Sequence, residues 1–259
     1  MDQIAIPLRP ILLFLVVLGR VGGLVTFAPF WNLEGAARQV RIVLALVLAV
    51  VITPVVAPHL ATPPSEWPAL AMVIAGEVVI GCALGFAGQL IFSGLEFAAQ
   101  LFSTLMGFSL ATTIDPTSNA QTTVFATLAR LCGLSILLAA DGHHWLLSSA
   151  VWSFQGVAPG GLRVSPSLAQ LFVRLSADAL AVGVALAAPA MIIMLAVEFT
   201  LAIAGRVAPQ LNVLVIGFPI KIAVGFWLIG ASLYFLPGAF RDVLAAIRGN
   251  LIHAMGALR

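Results

Sequence analysis

Long, uninterrupted apolar runs are the feature that most constrains the fold of this chain. Six of them, most about 20 residues or longer, could cross the hydrocarbon layer of a bilayer as α-helices. A β-barrel would show alternating segments of about ten residues instead. Only 8% of the 259 residues are charged and 61% are hydrophobic, which excludes a soluble domain of this length. The sequence therefore predicts an all-α integral membrane protein, with apolar runs at 11–30, 40–58, 69–110, 122–140, 168–203 and 211–236.

Charge, cysteine content and motifs exclude several classes of function. The net charge of +2 and the scattered cations argue against a nucleic-acid partner. Cys82 and Cys132 lie inside apolar runs next to glycine, which is typical of packing residues. Pro7, Arg9 and Pro10 lead straight into an apolar run, unlike a cleavable signal. Neither a phosphate-binding loop nor a nucleophile motif occurs, so we expect no catalysis and no cofactor.

Charged residues within the apolar runs are candidate functional positions, because a charge facing lipid is costly. We expect these side chains to be buried against protein or water, although snorkelling of Arg20 and chance exposure of an acid are alternatives. The acids could pair with Arg20, Arg130, Arg206 or Lys221, within the subunit or across subunits. Proton coupling by an acid is a further alternative to packing. The predicted buried charges are Arg20, Glu77, Glu96, Arg130, Asp178 and Glu198.

The run from Ala69 to Leu110 is too long for one ordinary membrane crossing. It forms either two segments that turn near Ser93 and Gly94 or one helix that projects beyond the bilayer. Gly81 and Gly85 are spaced for close helix packing.

The stretch Met106–Ala120, MGFSLATTIDPTSNA, is the first clearly polar break in the chain. Asp-Pro followed by Ser and Asn is typical of a turn, and Met106, Gly107 and Phe108 give it an apolar start. The sequence DGHHW follows at 141–145. Because adjacent histidines diverge on a regular helix, we expect no metal site there and interpret the segment as an interfacial turn.

The stretch from Gly205 to Lys221, GRVAPQLNVLVIGFPIK, predicts a broken element at membrane depth. Pro209 and Pro219 each lack an N–H and disfavour an unbroken helix, and glycines lie near both. A short loop beside a proline-ended helix is the simpler alternative. After it, residues 239–259 show helical spacing of apolar side chains, which indicates an amphipathic helix on the membrane or on a partner.

Membrane topology cannot be assigned consistently from the positive-inside rule. The tail arginines 241, 248 and 259 predict a cytoplasmic C-terminus, but six crossings would then put Arg38 and Arg41 outside. Some apolar segments are therefore expected to be hydrophobic because partners bury them.

Several of these stretches together resemble the FliR family of flagellar type III export-gate proteins. The resemblance rests on GRVGGL with Pro29, GEVVIGCALGF from Gly76, MGFSLATTIDP, DGHH and the stretch 205–221, all in one order over residues 19 to 221. The tail carries no motif that can be matched.

The resemblance implies a non-enzymatic subunit that assembles with FliP and FliQ in the bacterial inner membrane, at the core of the flagellar basal body. Unfolded export substrates would pass through its channel, with FlhB and FlhA nearby and lipid around it. Helices that look transmembrane would be lifted out of the membrane plane. It also implies a FliP-like part over about 1–200 and a FliQ-like hairpin with the tail over about 201–259.

The implied roles of individual residues follow from the same resemblance. The loop would close the pore as a plug, and the 205–221 turn would contact neighbouring subunits. The plug residues are Met106, Gly107, Phe108, Leu110 and Ile114, and the hairpin contacts are Arg206, Pro209, Asn212, Gly217, Pro219 and Lys221.

Two alternatives stay open. An injectisome counterpart would share the architecture but deliver virulence effectors. A secondary transporter would bind a solute at broken helices, using Glu77, Glu198, Arg206 and Lys221. It would also be expected to contain an internal repeat, and none is convincing.

Overall fold

The structure, a computed structural model, describes residues 8–29, 37–107, 124–139, 141–162, 166–210, 212–213, 215–231, 234 and 238. Three of the predicted plug residues, Phe108, Leu110 and Ile114, lie outside the described residues. So does the predicted amphipathic tail at 239–259.

Every regular element in the described part of the chain is a helix, as the apolar runs predict. Four helices, α1 (Leu8–Phe27), α2 (Arg38–Val56), α3 (Trp67–Leu105) and α6 (Pro166–Val207), are long and apolar enough to cross a membrane. A short 3₁₀ turn, Ala57–His59, follows α2. The α-helices are α1 Leu8–Phe27, α2 Arg38–Val56, α3 Trp67–Leu105, α4 Val124–Ala139, α5 Gly142–Gly156, α6 Pro166–Val207 and α7 Val215–Ala231.

The chain divides into two compact units. The first comprises Met1–Leu90, Leu137–Leu175 and Ile247–Arg259, and the second comprises Ile91–Ile136 and Ser176–Ala246. Helices α3, α4 and α6 each contribute to both units. The division into a FliP-like part and a FliQ-like hairpin stays a prediction.

Helix α1 forms the centre of the first unit. Its buried residues include Val16, Val17 and Leu24, whose side chains are almost completely inaccessible. Helix α2 presents Ala45 and Ala49 to this core, since small side chains let two helices approach closely. The opposite face of α2 is apolar and exposed, as expected for a helix that meets lipid or another subunit.

Glycines bring the backbones of α1 and α3 into direct contact. A methyl group on Gly81 would overlap the carbonyl oxygen of Arg20, and one on Gly23 would overlap that of Val78. A methyl group on Gly85 would lie 2.6 Å from the carbonyl oxygen of Leu24. The predicted packing role of Gly81 and Gly85 is confirmed, and Gly23 is its counterpart on α1.

In the second unit, α3 and α6 also meet backbone to backbone. A methyl group on Gly94 would lie 2.5 Å from the carbonyl oxygen of Ala179, and one on Gly183 would lie 2.6 Å from that of Gly94. This contact explains why Gly94 does not mark a turn. Helix α3 runs through Ser93 and Gly94 without a break, so the single-helix alternative is correct.

Prolines interrupt the helices less than the sequence predicts. Pro54 and Pro189 lie inside α2 and α6, and Pro219 lies inside α7. Proline removes one backbone hydrogen bond but leaves φ helical, and a packed membrane helix tolerates that loss. Pro189 therefore leaves α6 unbroken, and the prediction that Pro219 breaks the helix within the 205–221 stretch is wrong.

Candidate functional site

Arg20 lies at the centre of a largely buried polar cluster in the first unit. Its Nε donates a hydrogen bond to Glu77 Oε2 at 2.6 Å, and neither side chain has exposed surface. Nη1 donates to Ser153 Oγ at 2.9 Å, and Nη2 donates to the carbonyl oxygen of Val157 at 3.0 Å. The guanidinium carbon lies 3.8 Å from the ring centroid of Phe154. One cation thus joins α1, α3 and the C-terminal end of α5.

The local sequence explains how this cluster forms. Gly19 and Gly23 flank Arg20 one turn apart on α1, so the α3 backbone can approach and bring Glu77 within reach. Val157 follows the last turn of α5, where carbonyl oxygens lack helical partners and can accept from a cation. The geometry suits a structural clamp, because each guanidinium nitrogen has an acceptor.

Sequence reasoning missed three members of this cluster. Nothing in the pattern around Ser153, Phe154 or Val157 distinguishes them from other residues of a short apolar helix. Gly19 and Gly23 were detectable, since they repeat the four-residue spacing of Gly81 and Gly85.

Two further acids also lie beside cations. Arg130 Nε is 3.5 Å from Glu96 Oε1, with 20% and 30% of the two side chains exposed. Lys221 Nζ donates to Glu198 Oε1 at 2.9 Å, and 53% of the Glu198 side chain is exposed. Each acid pairs with a cation of its own unit.

The expected burial does not hold within this chain for Asp178 or Glu198. Both side chains are exposed on α6, although Glu198 accepts a hydrogen bond from Lys221 on α7. Arg206 is exposed as well. Burial of these groups by a partner subunit stays a prediction.

The 205–221 stretch forms the turn of an antiparallel helix pair. Helix α6 ends at Val207, and Pro209 lies in the turn that follows. The Asn212 carbonyl oxygen accepts hydrogen bonds from the N–H groups of Val215 and Ile216 at 3.0 and 3.1 Å, so this residue satisfies the first N–H groups of α7.

Three contacts between α6 and α7 recur at about one-turn intervals. Gly205 faces Val213, Gly217 faces Leu201, and Lys221 reaches Glu198. Pro209 and Pro219 are exposed, whereas Gly217 is buried in the pair. The described residues of the turn are 208–210 and Asn212. The FliQ-like character of this helix pair and its subunit contacts stay predictions.

Met106 lies inside the core of the second unit. It is fully buried among Phe102, Met194 and Leu228, and a methyl group on Gly225 would overlap its terminal atoms. Gly107 follows with φ +89°, a left-handed conformation that favours glycine and ends α3. Within this chain Met106 is buried at the start of the predicted plug segment, and its role at a pore stays a prediction.

Asp141, His143 and His144 come together at the start of α5. One ligand atom from each side chain lies within 4.8 Å of the others. The argument that adjacent histidines diverge thus fails at this position. The first helical turn and the left-handed Asp141, with φ 54°, bring the three groups to one side.

The chain resembles known export proteins over most of its length. The profile of the family described as "Bacterial export proteins, family 1" matches residues 11–247. The flagellar biosynthetic protein FliR of Pectobacterium carotovorum is 31% identical over 84% of this chain and 83% of its own length.

Two further relatives come from different export systems. FliR of Escherichia coli is 30% identical over 82% of this chain and 80% of its own length. The Yop proteins translocation protein T of Yersinia pestis is 31% identical over 60% of each chain. The chain therefore belongs to the FliR family, family 1 of the bacterial export proteins, and is a membrane component of type III export.

Proposed function

We propose that the chain is a non-enzymatic core subunit of the flagellar type III export gate in the bacterial inner membrane. With FliP and FliQ it forms the channel through which unfolded flagellar substrates cross, next to FlhA and FlhB in the basal body. The observation that carries the proposal is the match to FliR proteins along most of the chain.

The surfaces of the described helices support an assembled state. Large apolar side chains are exposed along α2, α6 and α7, including Val51, Phe199 and Trp227. Lipid can cover some of this surface, but Glu198, Asp178 and Arg206 lie on exposed positions in the same part of the chain. Charges on an apolar surface favour a protein partner over lipid. We assign Arg206, Pro209 and Lys221 to contacts with neighbouring subunits.

The plug assignment rests on the way the chain leaves α3. Met106 is held in the core, and the left-handed Gly107 redirects the backbone at the residue where the apolar loop begins. A firmly anchored base would hold the loop at one place while its apolar residues meet in the pore. We propose that Phe108, Leu110 and Ile114 form the seal.

The experiment replaces these three residues while leaving their anchor intact. Phe108→Ser, Leu110→Ser and Ile114→Ser are combined, and the protein is co-expressed with FliP and FliQ. The matched control combines Thr112→Ser, Thr113→Ser and Ser118→Ala in the same loop. Co-purification first shows that each variant assembles. We expect the apolar triple variant to make the membrane permeable to ions, measured as conductance, and the control to stay closed.

Different outcomes would contradict the plug role and the gate-subunit role. A triple variant that co-purifies yet leaves the membrane sealed would overturn the plug role only. A wild-type chain that is a stable monodisperse monomer and does not co-purify with FliP and FliQ would overturn the gate subunit itself.

The injectisome role is the second candidate, favoured by the similarity to the Yop translocation protein T. The two roles separate in a deletion strain, since only a flagellar subunit is required for motility. The transporter hypothesis loses support, because Pro189 and Pro219 lie within helices and leave no broken helix there to bind a solute.

A further inference from the structure

A cluster of two imidazoles and one carboxylate lies on the surface of the first unit, away from the Arg20 cluster. Asp141 precedes α5, and His143 and His144 lie in its first turn. One donor atom from each lies within 4.8 Å of the others. The side chains of Asp141 and His144 are 77% and 71% exposed, so an ion from water can reach them.

The backbone fixes this arrangement. Within the described residues, Asp141 is the one non-glycine residue with positive φ. Glycine suits the next position, since a methyl group on Gly142 would overlap the side chain of Leu137 and force it to shift. Asp is among the few residues that adopt the left-handed conformation readily. The Asp-Gly pair thus makes a sharp entry into α5 and turns the aspartate toward the helix.

The aspartate side chain does not perform the usual task of its position. An Asp that precedes a helix commonly accepts a hydrogen bond from the N–H groups of the first turn. Asp141 makes no such capping bond, and its Oδ1 instead lies 3.7 Å from Nδ1 of His144. The His143 and His144 rings lie side by side, with centroids 4.2 Å apart.

We infer that Asp141, His143 and His144 form a binding site for a late first-row divalent metal ion, with Zn²⁺ as the reference ion. Two imidazoles and one carboxylate are a common zinc donor set, with further positions left for water or another ligand. Ca²⁺ and Mg²⁺ prefer oxygen donors and are disfavoured. The partial positive charge of the helix N-terminus opposes a cation only weakly, and the negative charge of the Asp141 carboxylate offsets it.

Binding requires only small side-chain movements. Donors around one tetrahedral Zn²⁺ lie about 3.4 Å apart, given metal–ligand distances of about 2.0–2.2 Å. The distances between the three donor atoms are at most 4.8 Å and must shorten to about 3.4 Å when the ion binds. Rotations about the side-chain bonds can supply this change. The bound ion would fasten the entry into α5, the helix whose other end binds Arg20.

The test is calorimetric titration of the purified chain in detergent, after removal of any affinity tag, with Zn²⁺ and with Mg²⁺. We expect one Zn²⁺ per chain and no binding of Mg²⁺. His143→Gln, His144→Gln and Asp141→Asn should each weaken Zn²⁺ binding by about tenfold or more. Asn suits the left-handed conformation, so the turn is retained in the last variant.

The matched control is His59→Gln, which removes an exposed histidine elsewhere and should leave the affinity unchanged. A second readout uses Cu²⁺, whose electron paramagnetic resonance spectrum should show two coordinating nitrogens in the wild type and one in His144→Gln. Circular dichroism of each variant separates loss of ligands from loss of fold. Equal Zn²⁺ affinity in the wild type and in the combined triple variant would overturn the site, as would an absence of binding.

Discussion

Among the described residues, Arg20 makes hydrogen bonds to partners that are far away along the sequence. Its partners are 57 and 137 residues away along the chain, yet each guanidinium nitrogen has an acceptor. A buried ion pair of this kind contributes little net stability compared with well-packed apolar side chains. Replacing only one residue of the pair is costly, because the charge of the other residue then stays buried without a partner.

Changing Glu77 should therefore destabilise the protein more than changing an exposed acid. Glu77→Gln leaves the Arg20 charge uncompensated and should cost about 3–5 kcal/mol. Glu198→Gln breaks a more exposed pair and should cost at most about 1 kcal/mol. Thermal unfolding of the purified variants, followed by fluorescence, gives the comparison.

A double variant separates packing from charge. Arg20→Met with Glu77→Leu removes both charges and keeps apolar volume, so it should unfold at a higher temperature than either single variant. If the double variant is instead destabilised by the sum of the single effects, the pair does not act as a unit.

At the level of helices, close backbone contact is the organising feature. Helix α1 meets α3 through Gly23 and Gly81, and α3 meets α6 through Gly94 and Gly183. Because no side chains separate their backbones, these helices make many van der Waals contacts with each other. In a membrane such contacts stabilise helix pairs, whereas helices in water associate mainly through the hydrophobic effect. A helix pair of this kind tolerates no added atom at the contact.

Two neighbouring glycines in α1 provide a sharp test. Gly23→Ala places a methyl group against the backbone of α3 and should reduce the yield of folded, monodisperse protein severalfold. Gly22→Ala is the matched control, because nothing lies within 4 Å of the added methyl group. Alanine also favours helix over glycine by about 1 kcal/mol, so the control should be neutral or slightly stabilising.

The measurement is size-exclusion chromatography with fluorescence detection at equal expression. Equal profiles for the two variants would show that the observed contact does not hold α1 against α3.

Apolar periodicity and glycine spacing predicted much of this fold, and the reason is local. The length of an apolar run indicates a membrane helix directly, and the spacing of Gly81 and Gly85 indicates close packing between two helices. The pairing of Arg20 with Glu77 depends on which helices become neighbours, which no local pattern encodes. The prediction of a helix break at Pro219 was wrong, because packing compensates for the hydrogen bond that a proline removes from a membrane helix. The metal-ligand cluster was missed because a regular helix was assumed at Asp141.

For the whole molecule, the length of α3 decides how the chain can sit in a bilayer. At 39 residues it extends about 58 Å, roughly twice the hydrocarbon thickness. Tilts of up to about 40° cannot absorb this excess. Part of this apolar helix must therefore lie outside the hydrocarbon layer, which explains why counting crossings from hydropathy fails.

Labelling of single cysteines checks this conclusion. With Cys82 and Cys132 replaced by serine, cysteines are placed at the exposed positions Met72, Phe86 and Thr104. Met72 and Thr104 lie about 48 Å apart along the helix axis, which exceeds the thickness of the hydrocarbon layer. At least one of the two cysteines should therefore react with a membrane-impermeant maleimide when right-side-out and inside-out vesicles are both labelled. If neither the cysteine at position 72 nor the one at position 104 reacts in preparations without unfolded protein, the result would contradict a continuous helix.

The contacts of Arg20 also constrain the order in which the protein can be completed. During translation, Arg20 is synthesised 57 residues before Glu77 and 137 residues before Val157. At about 5–20 residues per second, the wait for the last acceptor is on the order of ten seconds. Throughout that interval the first helix carries a charge that lipid cannot solvate. Water or the insertion machinery must therefore hold it until the fifth helix has been made.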